Sequence, residues 1–148
     1  MPGTIVFTGA NRSLGLSAAT IYQVDLGRLS AVHDFASTVA KGVETNQLPR
    51  LAGLVCNAFY WNLVGGPDMT ADAFGKSFAV AYTVHVALVL RLIGLFSSDG
   101  GRVTLLSSDA HYPWKNAMER ITLMVPKNLD LLVKPKPTTK GDTSGLGY

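Results

Sequence analysis

The chain has 148 residues, of which 47% are hydrophobic and 16% charged. That balance excludes a disordered or fibrous chain and supplies enough length for one compact core. The net charge is +3, but Lys127, Lys134, Lys136 and Lys140 crowd the last stretch without interleaved aromatics. The excess therefore reads as a solvated tail, and a nucleic-acid partner is not expected.

Thr4 to Thr8 is a short, largely β-branched run that stops at Gly9, as a buried strand does. Asn11 to Thr20 follows with helix-compatible spacing of Leu14, Leu16, Ala18 and Ala19. Ile21 to Asp25 is expected as a second strand. Ser30 is placed as the cap of a helix reaching about Lys41, with Val32, Phe35, Ala36 and Val39 on one face. Gly42 to Arg50 is polar and turns the chain. Leu51 to Asn57 is a further strand, and Gly65-Gly66-Pro67 makes loop. A helix is expected from about Thr70 to Phe96, in one piece or two. Asp99-Gly100-Gly101 then turns the chain into the strand Arg102 to Ser107. Strand and helix alternate, which predicts an α/β fold with three or four parallel strands covered by helices. From Pro113 onward Pro126, Pro135 and Pro137 break the periodicity, apart from an apolar patch at Leu129 to Val133.

The stretch Phe78 to Phe96 approaches the length of a membrane span. It holds His85 and Arg91, and an arginine within a span is costly, so a buried helix is expected and no membrane partner. The start lacks the basic region of a signal peptide. Cys56, the single cysteine, cannot form an internal disulfide, which fits a reducing, cytoplasmic setting. His33, His85 and His111 share no metal-ligand spacing with each other or with Cys56. They read as packed or helix-surface residues, and no metal is expected. Ser107, Asp109 and His111 suggest a hydrolase triad only superficially, because no Gly-x-Ser-x-Gly elbow is present. Phe59, Trp61 and Trp114 either line a substrate cleft or anchor loops.

The densest chemistry lies in Thr8-Gly9-Ala10-Asn11-Arg12-Ser13-Leu14-Gly15. It joins a strand to a helix, where a parallel sheet binds phosphate: glycine permits a tight turn, and a helix start presents free N–H groups. The stretch resembles the Thr-Gly-x-x-x-Gly-x-Gly fingerprint of the short-chain dehydrogenase/reductase family, with Ser13 in place of the middle glycine. Asp25-Leu26 is similar to the family's Asp-hydrophobic pair, whose carboxylate meets the adenine amino group. Asn57-Ala58 resembles part of the Asn-Asn-Ala-Gly element, with Cys56 and Phe59 departing from it. Arg102 to Ser108 looks like the strand that delivers the family's catalytic serine, Ser108, with Ser107 as the alternative. Ser107 to Pro113 is especially like fungal members, for which secondary metabolism is the expected setting.

The resemblance implies a Rossmann-like three-layer sandwich over residues 1–112, with 113–148 as a loop-like tail. It implies a cofactor site at Gly9, Asn11, Arg12, Ser13, Leu14, Gly15, Asp25, Leu26, Asn57 and Ala58. It also implies a small carbonyl or alcohol substrate. Arg12 favours NADP over NAD, since guanidinium pairs with phosphate in bidentate fashion. A homo-oligomer through the Thr70–Phe96 helix is a further implication.

Three departures bear on activity. Asp25 follows Gly15 by only ten residues, so a strand-helix unit is missing from the pattern. Ala81 stands where the family carries a structural asparagine. No Tyr-x-x-x-Lys occurs: Tyr22, Tyr60, Tyr82 and Tyr112 are followed four residues later by Leu26, Val64, Val86 and Asn116. The resemblance therefore implies an oxidoreductase inactive in this form, with a non-enzymatic binding or interaction module as the alternative.

Overall fold

The computed structural model describes residues 3–9, 20–62, 67–108 and 127–135. The expected helix at Asn11 to Thr20 lies outside them but for Thr20. The described elements are β1 (Thr4–Phe7), α1 (Leu29–Glu44), β2 (Leu51–Cys56), a long composite helix α2 (Lys76–Leu95), β3 (Arg102–Leu105) and a helical turn α3 (Asp130–Val133).

The three strands form one parallel sheet in the order β1-β2-β3. Val6 pairs with Leu54 and Leu54 with Val103, while Ile5 pairs with Gly53 and Gly53 with Arg102. Pleating puts the first set on one face and the second on the other. Each crossover steps the same way along the sheet, and right-handed connection then puts both helices on one face. Val6, Leu54 and Cys56 join Val32, Ala36 and Val39 of α1 and Val84, Leu88 and Leu92 of α2 in a single core. On each helix the buried residues recur at three- and four-residue intervals, the spacing of one apolar stripe. Burying each Val or Leu contributes roughly 1.5–3 kcal/mol.

Several expectations need correction. Ile21 to Asp25 is not a strand but irregular coil outside the sheet. Its apolar side chains find helix surface instead: the Tyr22 ring packs tilted against Phe35 of α1 with centroids 5.5 Å apart, and Val24 and Leu26 pack against the core. Ser30 does not cap α1, which begins a residue earlier. The carboxylate of Asp72 accepts from the Leu29 N–H at 2.8 Å, placing negative charge at the positive helix end. The helix also continues past Lys41 to Glu44.

The long helix starts at Lys76, not Thr70. Residues 69–75 close a tight loop in which Phe74 N–H donates to Thr70 Oγ1 and Thr70 N–H to the Phe74 carbonyl. This local bonding competes with helix. Within α2, Ala79–Thr83 forms a π-turn, where the Val84 N–H reaches back to the Ala79 carbonyl. By length and composition α2 is apolar enough to cross a membrane, yet here Val84, His85, Leu88 and Leu92 are buried against the sheet and α1. Part of the tail docks on the body: Gly75 N–H donates to the Val133 carbonyl at 2.7 Å, and Pro135 covers Gly75.

Candidate functional site

All three strands point the same way, so their carboxyl ends share one edge of the sheet, the edge where open α/β sheets bind ligands. Phe7 leads there into Thr8-Gly9, Cys56 into Asn57-Ala58, and Leu105 into Leu106-Ser107-Ser108. Backbone bonds carry the pairing beyond the strands: Thr8 N–H donates to the Val55 carbonyl and Leu106 N–H to the Cys56 carbonyl, both at 3.0 Å.

The first two strand ends are joined at Thr8. Its buried Oγ1 accepts from the backbone N–H of Asn57 at 2.9 Å and of Ala58 at 3.0 Å. The Asn57 side-chain amide returns a bond to the Thr8 carbonyl at 3.3 Å. Gly9 follows with φ +76, in the left-handed region. A Cβ there would lie 3.1 Å from the Ala58 Cα and 2.9 Å from Asn57 Nδ2. The turn therefore requires glycine twice over, once for φ and once for the close approach.

A third element enters from below. His85 of α2, 3% exposed, sets its Nε2 3.0 Å from Thr8 Oγ1 and its Nδ1 3.0 Å from the Ala81 carbonyl. Burial lowers the His85 pKa, opposed in part by the bond to Ala81, so the ring is neutral near pH 7. Cys56, at the position of the resembled element's first asparagine, turns into the core and is 1% exposed. Burial raises its thiol pKa, and the side chain acts as packing.

The sequence-derived residues divide in three. Gly9, Asn57 and Ala58 come together at the sheet edge, and Ser107 and Ser108 follow β3 there as exposed residues. Asn11, Arg12, Ser13, Leu14 and Gly15 lie outside the described residues. Asp25 and Leu26 stand in the coil leading into α1, not at a strand end. The Asp25 carboxylate accepts from the Gly27 N–H at 2.9 Å and meets Arg28 at 3.5 Å. Leu26 half-buries against the core over a crevice with no water-sized space. Thr8 and His85 were missed as site residues. Thr8 carried a signal in its position before Gly9; His85, 77 residues away, carried none.

One tyrosine has a lysine on it: the Lys76 ammonium sits 4.2 Å over the Tyr60 ring. The Tyr60 hydroxyl donates to the Asp68 carboxylate. That hydrogen bond, with lesser contributions from desolvation and the Asp68 charge, raises the phenol pKa. The direction is wrong for a proton donor working near neutrality.

Compared with models of known protein families and with curated proteins, the chain matches none.

Proposed function

We propose that the chain is a cofactor-binding unit of the short-chain dehydrogenase/reductase type, a cytoplasmic Rossmann-like sandwich that takes NADP(H) in preference to NAD(H). We further propose that these 148 residues do not by themselves reduce a carbonyl or oxidise an alcohol. The observation that carries the reading is the joining of Thr8-Gly9 to Asn57-Ala58 at the carboxyl edge of a parallel sheet. The remaining layer would cover the face bearing Ile5, Phe7 and Val55. Bound cofactor would supply hydride. Gly9 to Gly15 would hold its pyrophosphate, with Arg12 at the 2′-phosphate and Asn57-Ala58 beside the ring end. Ser108 would orient a small carbonyl or alcohol. No residue in a Tyr-x-x-x-Lys arrangement gives a proton to the reacting oxygen.

Titration of residues 1–148 with NADPH and NADH, followed by cofactor fluorescence, tests the reading. NADPH should bind more tightly, and Arg12→Ala should weaken NADPH by roughly tenfold to a hundredfold, the worth of a hydrogen bond to a charged group, with little effect on NADH. Binding of neither cofactor would overturn the proposal. With ketones and quinones added, reduced cofactor should not be consumed; turnover lost in Ser108→Ala would show that another residue does the proton chemistry.

One observation favours the second reading, an interaction module. Tyr82, Val86, Leu90 and Ile93 form an exposed apolar stripe along α2, the helix through which a homo-oligomer would assemble. Sedimentation as a monomer across a concentration series would remove it.

A further inference from the structure

Hydrogen-bond counting at Thr8 leaves one arrangement. A threonine hydroxyl has one proton and two acceptor sites. The amides of Asn57 and Ala58 take both acceptor sites, so the proton must go elsewhere. Among the described residues two acceptors are in range: His85 Nε2 at 3.0 Å, and the Val55 carbonyl at 3.5 Å. The Val55 carbonyl already accepts the Thr8 N–H and at 3.5 Å lies beyond an ordinary O–H···O bond, so the proton goes to Nε2.

The far side of the ring agrees. The Ala81 carbonyl can only accept, so Nδ1 carries the hydrogen and Nε2 is the bare nitrogen. Ala81 lies in the π-turn Ala79–Thr83, an insertion found frequently at functional sites. A charged ring would aim a third donor at an oxygen with no acceptor site left. Among the described residues no buried side-chain polar atom lacks a partner.

We propose that His85 is a positioning residue for the candidate cofactor site: by taking the Thr8 proton it commits Thr8 Oγ1 to the Asn57 and Ala58 amides and ties α2 to both strand-end loops. The effect on cofactor rests on the NADP(H) reading above; the effect on the loops does not. A packing role alone would ask only for volume at position 85. The positioning role asks for an acceptor at the far end of the side chain, held by a second bond at its near end.

The test uses the full chain labelled with 15N. Ring shifts of His85 should report Nδ1 protonated and Nε2 bare, a measurement that needs no variant. Amide hydrogen exchange at Asn57 and Ala58 should quicken about tenfold in His85→Leu, the equivalent of one hydrogen bond. His85→Gln, which keeps an acceptor, should restore most of that protection. In a Thr8→Val background, where the acceptor itself is gone, adding His85→Leu should quicken exchange no further, since His85 acts on the amides only through Thr8. NADPH affinity should follow the same order. If NADPH binds no form of the chain while exchange behaves as stated, the cofactor reading fails and the positioning role stands. A protonated Nε2, equal exchange in the Leu and Gln variants, or additive effects of Thr8 and His85 would each overturn the proposal.

Discussion

Gly9→Ala probes the candidate site most directly, because two separable penalties meet there. The first is conformational: an L-residue in the left-handed region costs about 1–2 kcal/mol, and Gly9 has φ +76. The second is steric: the new methyl would stand 3.1 Å from the Ala58 Cα and 2.9 Å from Asn57 Nδ2. The Ala58 backbone cannot yield freely, because its N–H is held by Thr8 Oγ1. Overpacking of this kind costs about 1–3 kcal/mol. Restriction of the unfolded chain returns about 0.4–1 kcal/mol, so the net loss is about 1–4.6 kcal/mol. Gly100 supplies the control, with φ +90 and nothing within 4 Å of an added Cβ. Gly100→Ala meets only the conformational penalty and should lose no more than about 1.5 kcal/mol. Urea denaturation of the parent and both variants isolates the steric part as their difference. Equal losses at positions 9 and 100 would refute the close approach of the two strand ends.

The buried His85 makes stability depend on pH with a definite sign. Its folded pKa is lowered, so its contribution is complete above the unfolded value of about 6.5 and is lost as pH falls from there through the folded pKa. The parent chain should therefore lose more stability between pH 7 and 5 than His85→Gln, and parallel curves would refute this. On α2, Leu88 is 0% exposed and Leu90 71%; Leu88→Ala should cost about 2–5 kcal/mol and Leu90→Ala within about 0.5 kcal/mol, read by the same denaturation. Similar costs at both positions would mean that the exposed stripe is covered.

Much of the fold could be read where the physics is local. Short apolar runs ending at glycine or asparagine marked β1 and β2, and the Asp99-Gly100-Gly101 turn marked the start of β3. The apolar stripe of Val32, Ala36 and Val39 marked α1. Misreadings arose where a segment's state depends on a distant partner. Ile21 to Asp25 has the composition of a strand, but a strand needs a neighbour, and its rings and branches settled on α1 instead. Ser30 has the chemistry of a cap, but Asp72, 43 residues beyond Leu29, delivers a charged acceptor to the same helix end. Thr70 to Gly75 is apolar enough to extend α2, but the Thr70 hydroxyl fixes a loop. At the candidate site, Gly9 was singled out by its place between strand and helix, and Asn57 and Ala58 by the resemblance to the Asn-Asn-Ala-Gly element; the structure brings the three together at the sheet edge. The bond between Thr8 and His85 was not legible, since it depends on which helix face a crossover presents to which strand end.

The same geometry bears on the proposed inability of these residues to complete a carbonyl reduction. Among the described residues, these hydrogen bonds at the sheet edge hold loops: Thr8 bonds two amides, Asn57 the Thr8 carbonyl, and His85 both Thr8 and Ala81. A neutral histidine bonded at both nitrogens has no proton to lend without breaking one of those bonds. Tyr60 carries a proton and a nearby lysine, but the Asp68 carboxylate holds that proton in place and raises the phenol pKa. For a lysine to prepare a tyrosine as an acid near neutrality, the phenol pKa must fall, and here the Asp68 carboxylate raises it. On the proposed reading, the groups that build this edge would fix a cofactor and orient a carbonyl, and proton delivery to its oxygen would need another group.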